Sequence, residues 1–429
     1  MIKPGSLSNA GASGGNAAWH ACAVMQLADL DLPMLELAQQ GMVGDRLHET
    51  LATTRAESWL ARNNAGVSVL EREAAEFFLK SPALEFPGAV MMELMGITDG
   101  PIHRTMERGL LGRSGADHRR LRRLVSRSFT PKAAERWRPA MREQLADLWS
   151  ALDGASSFDA VESVARPFPS RMIAVNVGAP IADAALLRSY SAIIQQRLDF
   201  DALQTQRAEI EDGTAAFEAY VEELVADHQR NPQDDLVTEL VDTEVDGDRL
   251  DTDDVVSLVM AMLSGGIDTT ENQLAHGLRL FAEHPDQWEH LRANPELARA
   301  AADEVLRFEP VSPFTVRIVR EALTYRGVEF PVGTIVFVCT WSANREGRAD
   351  DSPTVFDITA HRGTDRPLSF GAGPHYCLGA GLAWAELEEA FAFLAPRTPG
   401  LRLDGDVEWG SPIGIYNIVC LPLAFDIQK

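Results

Sequence analysis

The chain of 429 residues is poor in cysteine. Its four cysteines, Cys22, Cys339, Cys377 and Cys420, lie far apart along the sequence. Cysteines with such spacing do not indicate a disulfide framework. They also form no group of neighbouring thiolates for an iron–sulfur cluster, and no dinucleotide fingerprint or flavin-binding region is evident. The sequence therefore offers no electron-transfer site of these three kinds.

Long apolar runs are also missing. No stretch reaches the roughly 18 apolar residues that span a bilayer. Segment 17–27 is mildly apolar, but it is interrupted by His20 and preceded by only one lysine, which does not make a convincing signal peptide. We therefore expect a cytoplasmic protein that does not bind a membrane.

Positive charge is scarce. The chain has 39 Lys and Arg against 63 Asp and Glu, which gives a formal net charge of −24. This excess of negative charge argues against partners such as nucleic acid and anionic membranes. Internal repeats and long Ser/Gly linkers are missing as well. We interpret residues 1–16 as a flexible lead and residues 17–429 as one domain.

Helical periodicity dominates what is present. Helical patterns run almost continuously from Asp117 to about Gln229, and a charged turn at Asp246–Asp251 precedes a long predicted helix over Asp253–Glu283. Segment 83–115 is predicted to be irregular, and its methionines either fill the core or adapt to the apolar surface of a ligand. Strands are predicted at Ser58–Arg62, Val67–Leu70, Thr324–Pro331, Thr334–Cys339 and in a hairpin near Gly414–Leu421. These patterns indicate a mainly α fold with small peripheral β-sheets.

One cysteine has distinctive neighbours. Cys377 follows the glycine-rich segment Phe370–Tyr376 and precedes a strongly helical run over Leu382–Leu394. A thiol at a helix N-terminus faces unpaired N–H groups and the positive end of the macrodipole, which favour the thiolate. The glycines allow the backbone to approach a flat ligand. A single thiolate suits an axial haem ligand better than zinc or an iron–sulfur cluster.

A second unusual pattern lies inside the long predicted helix, where Gly265 and Gly266 are adjacent and Thr269 follows. Two glycines within a helix cost about 1 kcal/mol each relative to alanine. On helical spacing these three residues share one face, which leaves a bare groove with a hydroxyl at its edge. Such a groove suits either a closely packed neighbouring helix or a diatomic ligand on a metal opposite it.

These motifs resemble those of the cytochrome P450 family, in the family's order and from about Leu47 to the C-terminus. The spacing Phe370–Gly373–His375–Cys377–Gly379 is similar to the family's haem-binding signature. The resemblance implies a P450 fold and a haem b cofactor, iron protoporphyrin IX, with Cys377 as the metal ligand. It also implies haem contacts from Phe370, Gly371, His375 and Gly379. Because microsomal members carry a membrane anchor, its absence points to the bacterial type.

The resemblance also implies roles for the long helix. Gly265 and Gly266 would form the oxygen-binding groove, Thr269 would hydrogen-bond during oxygen activation, and Asp268 would relay protons from solvent. Cleavage of the O–O bond requires two protons, so an acid beside an alcohol is chemically suitable there.

Glu304 and Arg307 lie three residues apart on a predicted helix, close enough for an ion pair. As an isolated surface pair they would contribute roughly 0.3 kcal/mol. In the resembled family this pair braces the loop that carries the haem ligand. Its usual third member is the arginine of a Phe-Asp-x-x-Arg pattern, but this chain has Ala360 at that position. Arg362 is the candidate replacement.

Haem propionates need cationic or hydrogen-bonding partners, because a desolvated carboxylate is unfavourable alone. The candidates are His118, Arg122, Arg317 and His375. On a helical wheel His118 and Arg122 share the flank of an apolar face, from which they can reach a buried carboxylate.

Four other arginines, Arg119, Arg120, Arg123 and Arg127, fall on the opposite side of that helix. They form either a solvated charged face or a docking patch for an acidic electron donor. The resemblance favours the patch, since it places this helix near the cysteine. One departure lies on the same side, where Trp384 replaces an arginine common in the family.

Family topology supplies the candidate substrate contacts, which are Phe86, Met91, Met92, Met95, Val316 and Ile413. Charged groups are scarce among the segments that contain them. We therefore expect a small substrate of lipophilic or aromatic character.

The sequence thus predicts a monomeric haem-thiolate monooxygenase that inserts one atom of O2 into its substrate and releases the other as water. Two electrons would come from NAD(P)H through a separate ferredoxin reductase and ferredoxin. Hydroxylation, epoxidation, dealkylation and phenolic coupling all remain open. Two alternatives are a peroxide-driven oxidase and a non-catalytic haem sensor. The pair Asp268–Thr269 disfavours both, and the glycine groove disfavours the sensor.

Overall fold

The computed structural model describes residues 25–36, 41–152, 154–198, 200–347, 352–361, 366–412 and 414–427, without the side chains of 198, 200 and 201. The predicted lead, residues 1–16, lies outside these ranges. Within them, no helix has the length and apolar character needed to cross a membrane. The α-helices are α1 Gly44–Glu57, α2 Arg72–Lys80, α3 Gly88–Leu94, α4 Gly100–Arg108, α5 Gly115–Val125, α6 Pro131–Ala134, α7 Arg138–Ser150, α8 Pro167–Asn176, α9 Ala184–Gln195, α10 Phe200–Thr205, α11 Arg207–Arg230, α12 Leu236–Val241, α13 Thr252–Gly266, α14 Asp268–Glu283, α15 Pro285–Ala293, α16 Ala298–Phe308, α17 Thr340–Asn344 and α18 Ala380–Leu394.

The strands form small sheets at the periphery of the helices. They are β1 Met25–Gln26, β2 Leu60–Asn63, β3 Gly66–Val69, β4 Leu84–Glu85, β5 Ser157–Asp159, β6 Glu244–Val245, β7 Asp248–Arg249, β8 Phe314–Val319, β9 Leu323–Tyr325, β10 Val328–Phe330, β11 Ile335–Cys339, β12 Arg402–Leu403, β13 Glu408–Trp409, β14 Ile418–Cys420 and β15 Pro422–Ala424. The largest sheet has the order β2-β3-β11-β8-β4. Its strand β11 pairs in parallel with β3 and antiparallel with β8, where Val336 lies opposite Arg317. The predicted mainly α architecture is confirmed.

Helix α14 lies at the centre of the larger apolar cluster. Leu274, Leu278 and Phe281 project from it with at most 2% of their surface exposed. Side chains from α7, α8, α16 and α18 complete this cluster, and a second cluster joins α5, α8, α9, α11 and α13. Full burial of side chains of this size stabilises the fold by about 1.5–3 kcal/mol each. Helices α13 and α14 therefore form a rigid support for the polar residues at their junction.

The predicted helix over Asp253–Glu283 is interrupted. Helix α13 ends at Gly266 and α14 begins at Asp268, with Ile267 between them at φ −86° and ψ −71°. The Thr269 hydroxyl donates a hydrogen bond of 2.6 Å to the carbonyl of Gly265. Two glycines weaken the helix, and a threonine that bonds back to the preceding turn bends it.

Two other sequence predictions are wrong. Segment 83–115 is not irregular, because it contains α3 and α4. The hairpin near Gly414–Leu421 is not formed within that segment, because β14 pairs with Glu408–Trp409 across a longer loop. The hairpin of β2 and β3 and the charged turn before α13 are confirmed.

Candidate active site

Cys377 lies in a loop that two short 3-10 turns shape, Leu368–Phe370 and Gly373–His375, just before α18. Its backbone N–H donates to the carbonyl of Phe370 at 2.9 Å. Gly373 has φ +71°, and a Cβ there would lie 2.8 Å from the carbonyl oxygen of Leu79. The close approach that requires this glycine is therefore to the end of α2, rather than to a flat ligand as the sequence suggested.

The thiol of Cys377 is accessible but poorly hydrated. Its side chain is accessible, yet burial raises the pKa of the Cys377 thiol above its ordinary value. The N–H groups of Gly379 and Ala380, together with Arg122, oppose this rise only in part. The predicted lowering of the thiol pKa is therefore wrong for the protein alone, because desolvation outweighs the helix dipole. A bound metal ion would deprotonate a coordinating thiol outright.

An accessible stripe runs along one face of α13 and α14. Ala261 and Gly265 are exposed and Thr269 is half-buried, although Leu263 and Ile267 between them are buried. These exposed positions are four residues apart, so they lie along one face of the helix. Nothing lies within 4 Å of a Cβ built on Gly265. The predicted bare groove is present at Gly265.

Gly266 belongs to a different surface. A Cβ on Gly266 would lie 3.1 Å from Cδ1 of Ile173 on α8. The two glycines therefore have different structural roles. Gly265 opens the groove, and Gly266 allows close helix packing. The prediction that Gly266 lines the groove is wrong.

The groove and the cysteine loop are held close together. Leu378, next to Cys377, packs in the apolar cluster that includes Leu263 and Ile267. The Thr270 hydroxyl on α14 also bonds to the carboxyl group of Glu386 on α18, the helix that follows the cysteine loop. Glu386 is 4% exposed, and burial raises its pKa to about 8. At neutral pH this carboxyl group is therefore mostly protonated, which makes a buried position tolerable.

Asp268 is buried beside a fully paired network of charges. It is 8% exposed, and its Oδ2 accepts a hydrogen bond of 2.6 Å from the Ser191 hydroxyl on α9. Burial raises the pKa of Asp268 to about 6, against the opposing Ser191 hydrogen bond. One turn on, Glu271 binds Arg188 at 2.9 and 3.0 Å and Arg166 at 3.3 Å. Both arginines thus pair with Glu271, and Asp268 keeps only a hydroxyl donor.

Four basic side chains lie close together near Cys377. His118 is 3% exposed and Arg317 is 2% exposed. The rings of His118 and His375 lie 4.3 Å apart between centroids. Arg122 donates to the carbonyl of Tyr376 at 2.6 Å. We call these residues, His118, Arg122, Arg317 and His375, the cation cluster, and the structure brings all four predicted residues together.

The cation cluster lacks an anion. In the ranges that the structure describes, no carboxylate bonds to any of its members, Nε2 of His118 has no partner, and Arg317 donates only to the carbonyl of Val316 at 2.9 Å. Burial lowers the pKa of Arg317 to about 10, and burial with three neighbouring cationic groups lowers the pKa of His375 to about 4. At neutral pH the two histidines are therefore neutral hydrogen-bonding groups, and the two arginines carry the charge of the cluster. Buried arginines without an anionic partner are unfavourable. They fit a ligand that carries carboxylates, such as the two propionates of haem.

The buried pair of Glu304 and Arg307 braces the cysteine loop. Arg307 donates to both carboxylate oxygens at 2.7 Å, and both residues are at most 6% exposed. Arg307 also donates to the carbonyl of Asn344 at 3.1 Å. The Asn344 amide in turn holds Ser369 and the N–H of Leu368. Arg362, the proposed third member, lies outside the described residues.

The arginines on the outer side of α5 are partly neutralised. Arg120 binds Asp248 and Asp254, and Arg123 binds Asp246 and Asp248. Within the described part of the chain, Arg119 and Arg127 are exposed and have no acidic partner. The predicted patch of four free arginines is therefore reduced to two. Nearby, the Trp384 ring lies 4.8 Å from Phe370.

The predicted substrate contacts divide into three groups. Phe86, Met91 and Met95 are partly buried beside the apolar cluster of α3, α4, α10 and α11. Met92 is 2% exposed inside that cluster, so the prediction that it contacts a ligand is wrong in this conformation. Val316 is half-buried next to Arg317, and Ile413 lies outside the described residues.

Sequence reasoning missed several residues of the site. Ser191, Arg188 and Glu386 take their roles from helices far away in the sequence. Arg197 was also missed, although it is one of the few deeply buried arginines without an acid. No local spacing marks any of these four residues.

Comparisons with known proteins agree with this geometry. The family model for Cytochrome P450 matches residues 67–394. Luteothin monooxygenase from Streptomyces thioluteus is 33% identical over 396 residues, which cover 92% of this chain and 96% of the relative. Erythromycin C-12 hydroxylase from Saccharopolyspora erythraea is 32% identical over 351 residues, covering 82% and 84%. The crystal structure of P450BioI with an acyl carrier protein ligated to hexadec-9Z-enoic acid superposes with a TM-score of 0.81 at 28% identity, covering 89% and 98%.

Proposed function

The chain belongs to the cytochrome P450 family, and on this premise we propose that it oxidises a small, largely apolar organic substrate with O2 at Cys377-ligated haem. One oxygen atom enters the substrate and the other leaves as water. The observation that carries the proposal is the accessible thiol of Cys377 beside a cation cluster that has no anionic partner among the described residues. A ligand with one metal and two carboxylates satisfies both features at once.

Haem, when bound, supplies the metal at which O2 is activated. The Cys377 sulfur would ligate the metal, and the cation cluster would neutralise the propionates. The pair Glu304–Arg307 would hold the cysteine loop in position through Asn344 and Leu368. Phe370 and Gly379 flank the sulfur along the chain and would lie against the porphyrin side of the loop.

Thr269 in the groove and the buried Asp268 next to it in sequence would transfer protons. The Thr269 hydroxyl donates its hydrogen to Gly265, so its oxygen is available to accept a hydrogen bond from the groove side. Asp268 has a pKa of about 6, which is close to the value that suits proton exchange at neutral pH.

Electrons would come from NAD(P)H through a ferredoxin reductase and a ferredoxin, since the sequence contains no dinucleotide fingerprint of its own. Arg119 and Arg127 supply the exposed positive charge that an acidic ferredoxin would recognise. We place the reaction in the bacterial cytoplasm. We also place the substrate among secondary metabolites, as the names luteothin monooxygenase and erythromycin C-12 hydroxylase suggest.

The decisive experiment is a spectrum of the haem-loaded, reduced protein with carbon monoxide. The wild type should show the red-shifted band from which the family takes its name, because a thiolate donates electron density to the metal. Cys377→Ser should lose this band. Cys420→Ser is the matched control, since that half-buried cysteine lies on β14. A band that persists in Cys377→Ser would overturn the proposal.

The role of Thr269 in oxygen activation is tested by measuring how completely NAD(P)H consumption is coupled to product formation. In Thr269→Ala, product formed per NAD(P)H should fall by about tenfold or more and peroxide should rise, while haem content stays unchanged. Thr269→Ser should restore most of the coupling. Equal coupling in Thr269→Ala would remove the assigned role. Full turnover with hydrogen peroxide alone would favour a peroxide-driven oxidase, and no consumption of NADPH and O2 would favour a sensor.

A further inference from the structure

Arg197 is a buried cation that has no counterion in the part of the chain that the structure describes. It lies in the 3-10 turn Gln196–Leu198 that follows α9. Its NH1 donates to the Thr105 hydroxyl on α4 at 3.1 Å. Across the described ranges, no carboxylate forms an ion pair with it. Burial lowers the pKa of Arg197 to about 10, so at neutral pH the guanidinium still carries its charge.

The acidic residues on the neighbouring helices pair with other groups. Glu218 on α11 binds Arg104, the neighbour of Thr105, at 2.8 Å. Glu211, also on α11, accepts a hydrogen bond of 3.0 Å from the N–H of Ile102. Arg188, on helix α9 just before the turn, pairs with Glu271 at 2.9 Å. The fold therefore pairs the other cations of this region and leaves Arg197 unpaired.

The position of Arg197 connects it to the groove at Gly265. Gln195, two residues earlier, donates to the carbonyl of Ser264 at 2.9 Å, and Ser264 precedes Gly265. The partner of Arg197, Thr105, lies on α4 with Ile102 and Met106 of the apolar cluster. The Arg197 side chain keeps some accessible surface despite its deep burial. Arg197 therefore lies where the end of α9 meets α4, close in sequence to the residue that bonds to Ser264 on α13.

An arginine keeps its proton at neutral pH even when it is buried. Its guanidinium therefore needs an anion or ordered water as a hydrogen-bond partner. A guanidinium binds a carboxylate with two parallel hydrogen bonds, and one positive charge matches one negative charge. Thr105 fixes one edge of the guanidinium through NH1. The remaining N–H groups are available to a ligand.

We propose that Arg197 binds a carboxylate on the substrate, whose remaining body is apolar and extends toward Gly265. This inference rests on the proposed function and narrows its substrate class from apolar molecules to apolar carboxylic acids. The apolar cluster of α3, α4, α10 and α11 would cover the body, and Arg197 would set its orientation relative to the haem. Arg197 is thus a specificity-determining residue.

The test compares acids with their esters on the haem-loaded enzyme. Dodecanoate and 4-butylbenzoate are titrated against their methyl esters, and dissociation constants are obtained from the spin-state shift of the haem spectrum. The acids should bind the wild type at least about tenfold more tightly than the esters, because one charge-assisted hydrogen-bonded pair contributes about 1.5–3 kcal/mol. Arg197→Met should weaken acid binding by about 10- to 100-fold and leave ester binding unchanged. Arg197→Lys should retain part of the preference.

Arg207→Met is the matched control. Arg207 begins α11, 44% of its side-chain surface is exposed, and its substitution makes the same change in net charge. It should leave both affinities unchanged. The carbon monoxide band of each variant shows that the haem site is intact, so loss of the band reports on the proposed function and not on Arg197. With the band present, equal affinity for acids and esters, no spin shift with either acid, or unchanged acid affinity in Arg197→Met would each overturn the proposal.

Discussion

Arg307 and Arg317 lie ten residues apart in the sequence and are almost equally buried, at 6% and 2% exposure. Arg307 holds both oxygens of Glu304, whereas among the described residues Arg317 reaches only the carbonyl of Val316. A buried charge with its own partner in the chain supports the fold. A buried charge without one is complete only when a ligand brings the opposite charge.

Acids and arginines without partners behave differently. Asp268 has only a hydroxyl donor, and its pKa rises to about 6. The pKa values of Arg197 and Arg317 fall only to about 10. The acid can therefore become neutral near physiological pH, while the arginines stay charged. Proton transfer suits the first kind of site, and anion binding suits the second.

The largest effect should come from breaking the paired site. Glu304→Ala leaves Arg307 charged and buried, so the free energy of unfolding should fall by about 3–5 kcal/mol. Urea unfolding of the protein measures this. Asp227→Ala is the control, because its pair with Arg230 has the same i,i+3 spacing but is exposed, and it should cost less than about 1 kcal/mol. Equal losses in the two variants would show that burial of the pair does not decide its contribution.

The unpaired acid should make stability depend on pH. The pKa of Asp268 is about 6 in the folded chain against 3.8 for an aspartate in water. The folded state therefore keeps a proton that the unfolded state releases, and the stability present below pH 4 is lost as pH rises through 6. The loss is on the order of 3 kcal/mol. Unfolding at several pH values should show this slope in the wild type and not in Asp268→Asn, and identical slopes would contradict it.

The unpaired arginine of the cation cluster should matter for haem more than for folding. Arg317→Met removes an uncompensated charge, so the haem-free protein should be as stable as the wild type or more stable. Haem binding should weaken by about 10- to 100-fold, since a charge-assisted hydrogen bond contributes about 1.5–3 kcal/mol. Transfer of haem to an acceptor apoprotein measures this affinity. Arg320→Met, exposed and three residues on, is the control; a loss of apoprotein stability in Arg317→Met alone would assign Arg317 to the fold.

Short-range sequence patterns predicted the paired site and the cysteine loop well. Glu304 and Arg307 are one helical turn apart, so spacing alone places them together. The position of Cys377 before α18 also follows from adjacent residues, as does the mainly α architecture. Methionine-rich segment 83–115 was misjudged because α3 and α4 are short and their apolar faces contact other helices.

The remaining features depend on contacts between distant segments. Ser191 meets Asp268 across 77 residues, and Arg197 meets Thr105 across 92. Gly265 and Gly266 look equivalent in sequence, and only the position of Ile173 distinguishes them. The rise in the Cys377 pKa also reflects burial by the whole fold rather than its place before a helix. Periodicity carries no information on such tertiary contacts.

The smallest effect should appear on the surface, where the same contrast applies to α5. Arg119 has no acidic partner within the described residues, whereas Arg123 is held by Asp246 and Asp248. Exposed pairs contribute about 0–1 kcal/mol, so Arg119→Glu and Arg123→Glu should both fold normally. Arg119→Glu should nevertheless slow reduction by a [2Fe–2S] ferredoxin several-fold at low salt, and Arg123→Glu should slow it less. Stopped-flow reduction with NADPH and reductase measures both rates.

Asp246→Asn sharpens this surface comparison. It removes one of the two carboxylates that bind Arg123, so more of the arginine charge becomes available to an acidic partner, and reduction should become faster than in the wild type. All three differences should shrink above about 0.1 M salt, where the Debye length is about 10 Å. If Arg119→Glu and Arg123→Glu slow reduction equally, or if salt leaves the rates unchanged, then pairing within the chain does not control which arginines meet the electron donor.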